Sequence, residues 1–80
     1  MLFITCVRIN PGKLEAAKKF SDQLLKSPPK GVKILKSYHT LGRYDAILIY
    51  EAADPNVVKE FLQGSRDVAT TETWVAFERT

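Results

Sequence analysis

Two rhythms alternate along the chain. Residues 2–9, "LFITCVRI", hold β-branched and aromatic types without a breaker, the mark of a strand. After it, Leu14, Ala17, Phe20 and Leu24 recur at helical spacing, while Glu15, Lys18, Lys19, Asp22 and Lys26 fill the opposite face. Asn10 can accept from the first-turn N–H groups and Pro11 suits the first helical position, so the helix is expected to open there. Glu15–Lys19 and Asp22–Lys26 add pairs four apart, and Pro28, Pro29 and Gly31 close it. Residues 32–40, "VKILKSYHT", read as a second strand and residues 43–52, "RYDAILIYEA", as a third, with Gly42 marking the turn between them. Asp54 and Pro55 repeat the cap-and-proline device. Val57, Val58, Phe61 and Leu62 give the second helix its apolar face, and Gly64 suits a left-handed residue past its end. A last strand is expected at about 68–78.

The order is βαββαβ: two crossover units joined by one hairpin. This predicts an α+β, ferredoxin-like sandwich over residues 1–80, a single domain with a four-stranded antiparallel sheet in the order 4-1-3-2. Right-handed crossovers place both helices on one face. The first and third strands, the most continuously apolar, belong at the centre. Lys33, Lys36 and the run Thr70 to Thr73 mark the second and fourth as edges.

The third strand poses a difficulty. One parity carries Tyr44, Ala46, Leu48 and Tyr50; the other carries Ile47 and Ile49, flanked by Asp45 and Glu51. Two helices cover one face only. Leaving about four large apolar side chains wet on the other would cost about 6–12 kcal/mol, comparable with the whole stability of a domain. A homodimer packed sheet to sheet is therefore expected, with a cavity between the sheets.

Composition fits this picture. The 80 residues, 45% hydrophobic and 26% charged, are few for a fold without staples, and the lone Cys6 can form no intrachain disulfide. Oligomerisation is the remaining common route to stability, in a reducing, cytoplasmic setting. The first seven residues read as a strand rather than a signal peptide, and no apolar run is long enough for a membrane span. The net charge of +3 conceals an asymmetry: residues 1–40 carry +6 and residues 41–80 carry −3. Most of the lysines fall on the exposed helix face and an edge strand, which argues for solvation rather than a nucleic-acid surface. The base-stacking pattern of RNA-recognition modules is also missing from the third strand.

"LGRYDAILIYEAADPNVVKEFL" resembles the GYD family, small domains marked by a glycine closely followed by Tyr-Asp, here Gly42, Tyr44 and Asp45 with Arg43 between. "INPGKLEAAKKF" and "PPKGVKILKSYHTLG" are similar to related members of the dimeric α/β-barrel superfamily. The resemblance spans nearly the whole chain. It implies a ferredoxin-like fold dimerising through its sheet. It leaves activity open, because that superfamily holds cofactor-free monooxygenases, isomerases, haem enzymes and ligand-sensing domains of transcription regulators. The turn "NPGKL" also resembles that of ACT-type amino-acid sensors, a likeness outweighed by the Gly-x-Tyr-Asp match.

No phosphate loop, CxxC, HExxH or nucleophile elbow is present, and one His with one Cys cannot supply a structural metal cluster. No cofactor is called for. His39 reads first as a strand-end histidine making one hydrogen bond, and second as a general base beside Tyr38 or Asp45. A two-residue loop of Gly42-Arg43 would put Tyr38 on the face of Ile47, whereas a three-residue loop would set His39 opposite Asp45. Asp45 reads first as an acceptor for backbone N–H groups of the turn. Arg43 reads as a solvated tip, Trp74 as a packing anchor and Cys6 as an inert thiol. The expected ligand site draws on Tyr38, His39, Tyr44, Asp45 and Trp74. The leading function is a homodimeric small-molecule-binding or regulatory module. The alternative is a cofactor-free monooxygenase or isomerase using His39.

Overall fold

The computed structural model describes residues 1–79, in the order β1 (Leu2–Ile9), α1 (Leu14–Lys26), β2 (Val32–His39), β3 (Ala46–Ala52), α2 (Pro55–Gln63) and β4 (Ala69–Ala76). The strands form one antiparallel sheet ordered β2-β3-β1-β4, the predicted topology of a ferredoxin-like α+β fold. β1 and β3 are central, and the polar β2 and β4 are the edges.

Register decides which parity faces the helices. Phe3 lies opposite Tyr50, Thr5 opposite Leu48, and Val32 opposite Ala52. Phe3, Val32, Leu48, Tyr50 and Ala52 join Leu24 of α1 with Val58 and Phe61 of α2 in one buried cluster. At its centre the Tyr50 ring stacks on Phe3 with centroids 5.8 Å apart and takes Phe61 edge-on at 5.5 Å, geometries that add to simple burial. The opposite parity, Leu2, Ile4, Cys6, Ile47 and Ile49, forms the face without helices. Trp74 of β4 and Tyr38 of β2 extend it, paired with Ile4 and Ile47. Trp74 is 48% exposed and Tyr38 50%.

Three local expectations need correction. The first helix does not open at Asn10-Pro11. Gly12 adopts φ +77°, a left-handed conformation that no helix can run through, and α1 begins two residues later without a side-chain cap. Asn10 is spent elsewhere: its amide donates to the carbonyls of Arg66 and Asp67 at 3.3 Å each, and its oxygen accepts from the Thr70 hydroxyl at 3.0 Å. It thereby ties the end of β1 to the loop before β4. Gly64 is right-handed, φ −66°, because the chain winds on through a turn in which Ser65 donates from Oγ to the Leu62 carbonyl at 2.8 Å. Among the described residues the one ion pair within 4.0 Å is Lys13–Asp67 at 3.8 Å, so the expected pairs along α1 are not closed contacts. The second cap stands as read: the Asp54 carboxylate accepts from the N–H of Asn56 at 2.8 Å and of Val57 at 3.2 Å, with Pro55 next in line.

The apolar stripe of α1 is only half used. Leu24 is 8% exposed, but Leu14, three turns earlier, is 65% exposed. The carboxy-terminal end of α1 is clamped onto Phe61 and the sheet while its beginning stands off.

Candidate functional site

Because α1 diverges from the sheet, a cleft of about 440 Å³ opens beneath it. Its floor is the far end of the sheet: Val7 and Ile9 of β1, Ala46 and Leu48 of β3, and Ser37 and His39 of β2. Its roof is Leu14, Ala17, Phe20 and Ser21, and Phe61, Leu62 and Val68 close the back. Lys18, Asp22, Thr40 and Asp45 reach the mouth. An apolar body with a few convergent polar groups is the usual form of a small-molecule site.

The residues singled out from the sequence divide between the two faces of the sheet. His39 pairs with Ala46, which puts it on the helix side, where it lines the cleft. Tyr38 and Trp74 lie on the opposite face. Asp45 borders the cleft, but its carboxylate accepts the Ile9 N–H at 2.7 Å and its own N–H donates to the Val7 carbonyl at 2.8 Å. Those bonds hold it to β1 rather than to His39. Tyr44 donates its hydroxyl to Glu72 of β4 at 2.5 Å. That hydrogen bond, with burial and the Glu72 charge adding to it, raises the phenol above its ordinary value of 10.0. Arg43, at the tip, contributes its carbonyl to the Arg8 Nε–H at 3.2 Å.

The Gly-x-Tyr-Asp stretch is thus a clasp. Gly42, at φ +155°, turns the hairpin. Thr40 fastens the loop by donating its N–H to the Asp45 carbonyl at 3.0 Å. Tyr44 and Asp45 then bind the tip across β1 to β4. Cys6 is buried on the helix-free face.

Sequence reading passed over a chain of hydroxyls beneath the helices. Thr5 Oγ1 lies 2.6 Å from the Tyr50 hydroxyl and 2.8 Å from Thr73 Oγ1, and Thr5 and Tyr50 are both 0% exposed. No linear motif joins three residues from three strands; only the pairing of Thr5 with Thr73 brings two of them level. Ala17 was the one available sign of the cleft, a small residue within a stripe of large ones.

Among the described residues no three potential metal ligands cluster, and no helix is long and apolar enough to cross a membrane. The fold and cleft define a small ferredoxin-like α+β domain. The chain belongs to the family described as a domain of unknown function, DUF3303, whose family model matches residues 1–79. Among solved structures, the crystal structure of an AsnC family transcriptional regulator from Agrobacterium tumefaciens is similar, with a TM-score of 0.70 at 17% identity. The match covers 98% of this chain and 50% of that one, so the present chain spans half the length of the regulator. The likeness establishes the fold. Comparison with curated proteins gives no significant match.

Proposed function

We propose that this chain is a single-domain, cytoplasmic, homodimeric module that binds a small organic molecule and serves regulation. The observation that carries the binding is the cleft beneath α1, an apolar chamber with Ser21, Ser37 and His39 as its hydrogen-bonding groups. On this reading the pocket is the one within each subunit, between helix and sheet, towards which the register turns His39. A cavity between two sheets would need a second copy and would draw on Tyr38 and Trp74. The similarity to half of a transcriptional regulator is consistent with a sensing role, as is the resemblance of the Gly42-Tyr44-Asp45 hairpin to the GYD family.

Dimerisation rests on the helix-free face. Leu2, Ile4, Ile47 and Ile49 are half-buried by their neighbours alone, and Trp74 and Tyr38 are half exposed, with nothing among the described residues to cover them. Charge supports a second copy as the cover. On this face β2 carries Lys33 and Lys36 while β4 carries Glu72. A two-fold axis along the strands would set the basic edge of each copy over the acidic edge of the other. An enzyme using His39 has less support: Tyr38 is on the wrong face and Asp45 is held by Ile9.

Indole and phenol, titrated into the protein and followed by amide NMR, test the binding. Shifts are expected at Val7, Ala17, His39 and Leu48, and they should vanish in Ala17→Phe, whose ring fills the chamber. Shifts confined to the helix-free face, or none at millimolar probe, would contradict it.

A further inference from the structure

The hydroxyl chain has a direction, and the direction leads to a second site. Three hydroxyls carry three hydrogens but make only two mutual contacts, so one hydrogen is left over. If Thr73 donated to Thr5 and Thr5 to Tyr50, the spare hydrogen would be the phenol's, in a place with no exposure. If both neighbours donated to Thr5, the spare would be its own, equally sealed. A stranded buried donor costs about 1–3 kcal/mol. Only the order Tyr50 to Thr5 to Thr73 avoids this, because Thr73 is half-buried and lines a groove of about 540 Å³ between α2 and β4. Burial also lifts the Tyr50 phenol above its ordinary value, so its proton stays in place to start the chain.

The same groove differs from the other hollows in charge. The cleft beneath α1 mixes Lys18 with Asp22 and Asp45, the hollow beside the hairpin sets Arg8 and Arg43 with Glu72, and the hollow between the helices holds Lys30 and Glu60. The α2–β4 groove carries Lys59 and Arg66 and no acid, over a floor of Phe3, Val58 and Leu62. Neither cation is in an ion pair among the described residues. We propose that the groove between α2 and β4 binds a carboxylate with a short apolar tail: Thr73 donates its free hydroxyl hydrogen to the head, Lys59 and Arg66 neutralise it, and the tail lies on Phe3, Val58 and Leu62. A phosphate fits less well, since phosphates favour helix N-termini, and the first-turn N–H groups of α2 are already taken by Asp54. The groove is on the helix side of the sheet, so it stays open whether or not the other face is covered.

Hexanoate is the probe, with hexanol and inorganic phosphate as controls, titrated into the full chain and followed by amide NMR. Saturable shifts at Lys59, Arg66 and Thr73 are expected with hexanoate and not with either control. Thr73→Val, nearly the same shape without the hydroxyl, should weaken binding by about tenfold, the worth of a hydrogen bond to a charged group. Arg66→Gln, an exposed change that leaves the core untouched, should weaken it about threefold to fivefold. Equal shifts with hexanol, equal shifts with phosphate, hexanoate shifts confined to the α1 cleft, or unchanged affinity in Arg66→Gln would each overturn the assignment.

Discussion

The two faces of this sheet are built from the same central strands and have opposite fates. On one, Phe3, Leu48 and Tyr50 disappear under Leu24, Val58 and Phe61. On the other, Leu2, Ile4, Ile47, Ile49 and Trp74 have no helix over them. The strands do not explain the difference, since β1 and β3 are apolar in both parities. The connections do: two right-handed crossovers deliver both helices to one side. A chain of this topology covers one face with its own helices and leaves the second without one.

Substitutions of like size should therefore act differently on the two faces. The largest effect is expected from Phe61→Ala, which empties the space beside Tyr50 and should cost about 3–5 kcal/mol in chemical denaturation at any protein concentration. Ile49→Lys, on the helix-free face, should leave the spectrum of a folded subunit while shifting the assembly towards single subunits. A loss of stability from Ile49→Lys that is independent of concentration and as large as that of Phe61→Ala would erase the distinction.

A smaller effect comes from alkali. Burial raises the Tyr50 phenol above 10.0, against the opposing hydrogen bond with Thr5. The folded state therefore holds this proton more tightly than the unfolded chain. Stability from this group is complete below about pH 10, the unfolded tyrosine value, and falls as pH rises through the higher folded value. Denaturation midpoints measured from pH 8 upward should decline above pH 10 in the wild type and less steeply in Tyr50→Phe. Parallel declines would mean that the buried phenol plays no part.

The hairpin clasp is worth less again. Asp45→Ala frees the Ile9 N–H at the end of β1 and should cost about 1 kcal/mol, the low end for a lost hydrogen bond near solvent. Amide exchange at Ile9 should quicken, and the covered core around Tyr50 should keep its protection. Asp54→Ala, which uncaps α2, should also cost about 1 kcal/mol, and its thermal midpoint should fall with no change in assembly.

Much of the topology was legible because it rests on local chemistry. The Asp54-Pro55 junction reads as a helix start and is one. The Asn10-Pro11 junction reads alike, but Gly12 turns the chain and Asn10 is drawn to a loop more than fifty residues away. Nothing local announces that competition. Site residues were less legible. Tyr38 and His39 are adjacent, so they fall on opposite faces, and the residues named near the turn divide between the two faces of one subunit. The cleft depends on how far α1 stands from the sheet, a property of packing at Leu24 and Phe61 rather than of any motif. The Thr5–Tyr50–Thr73 chain arises from register across three strands.

Sedimentation equilibrium of the wild-type chain over a hundredfold range of concentration tests whether the bare face is completed by a copy of itself. The expected result is a mass of two subunits at the upper concentrations, moving to one subunit in Ile49→Lys. A single folded subunit at every concentration in the wild type would contradict it, and would leave Trp74 and its neighbours as ordinary surface.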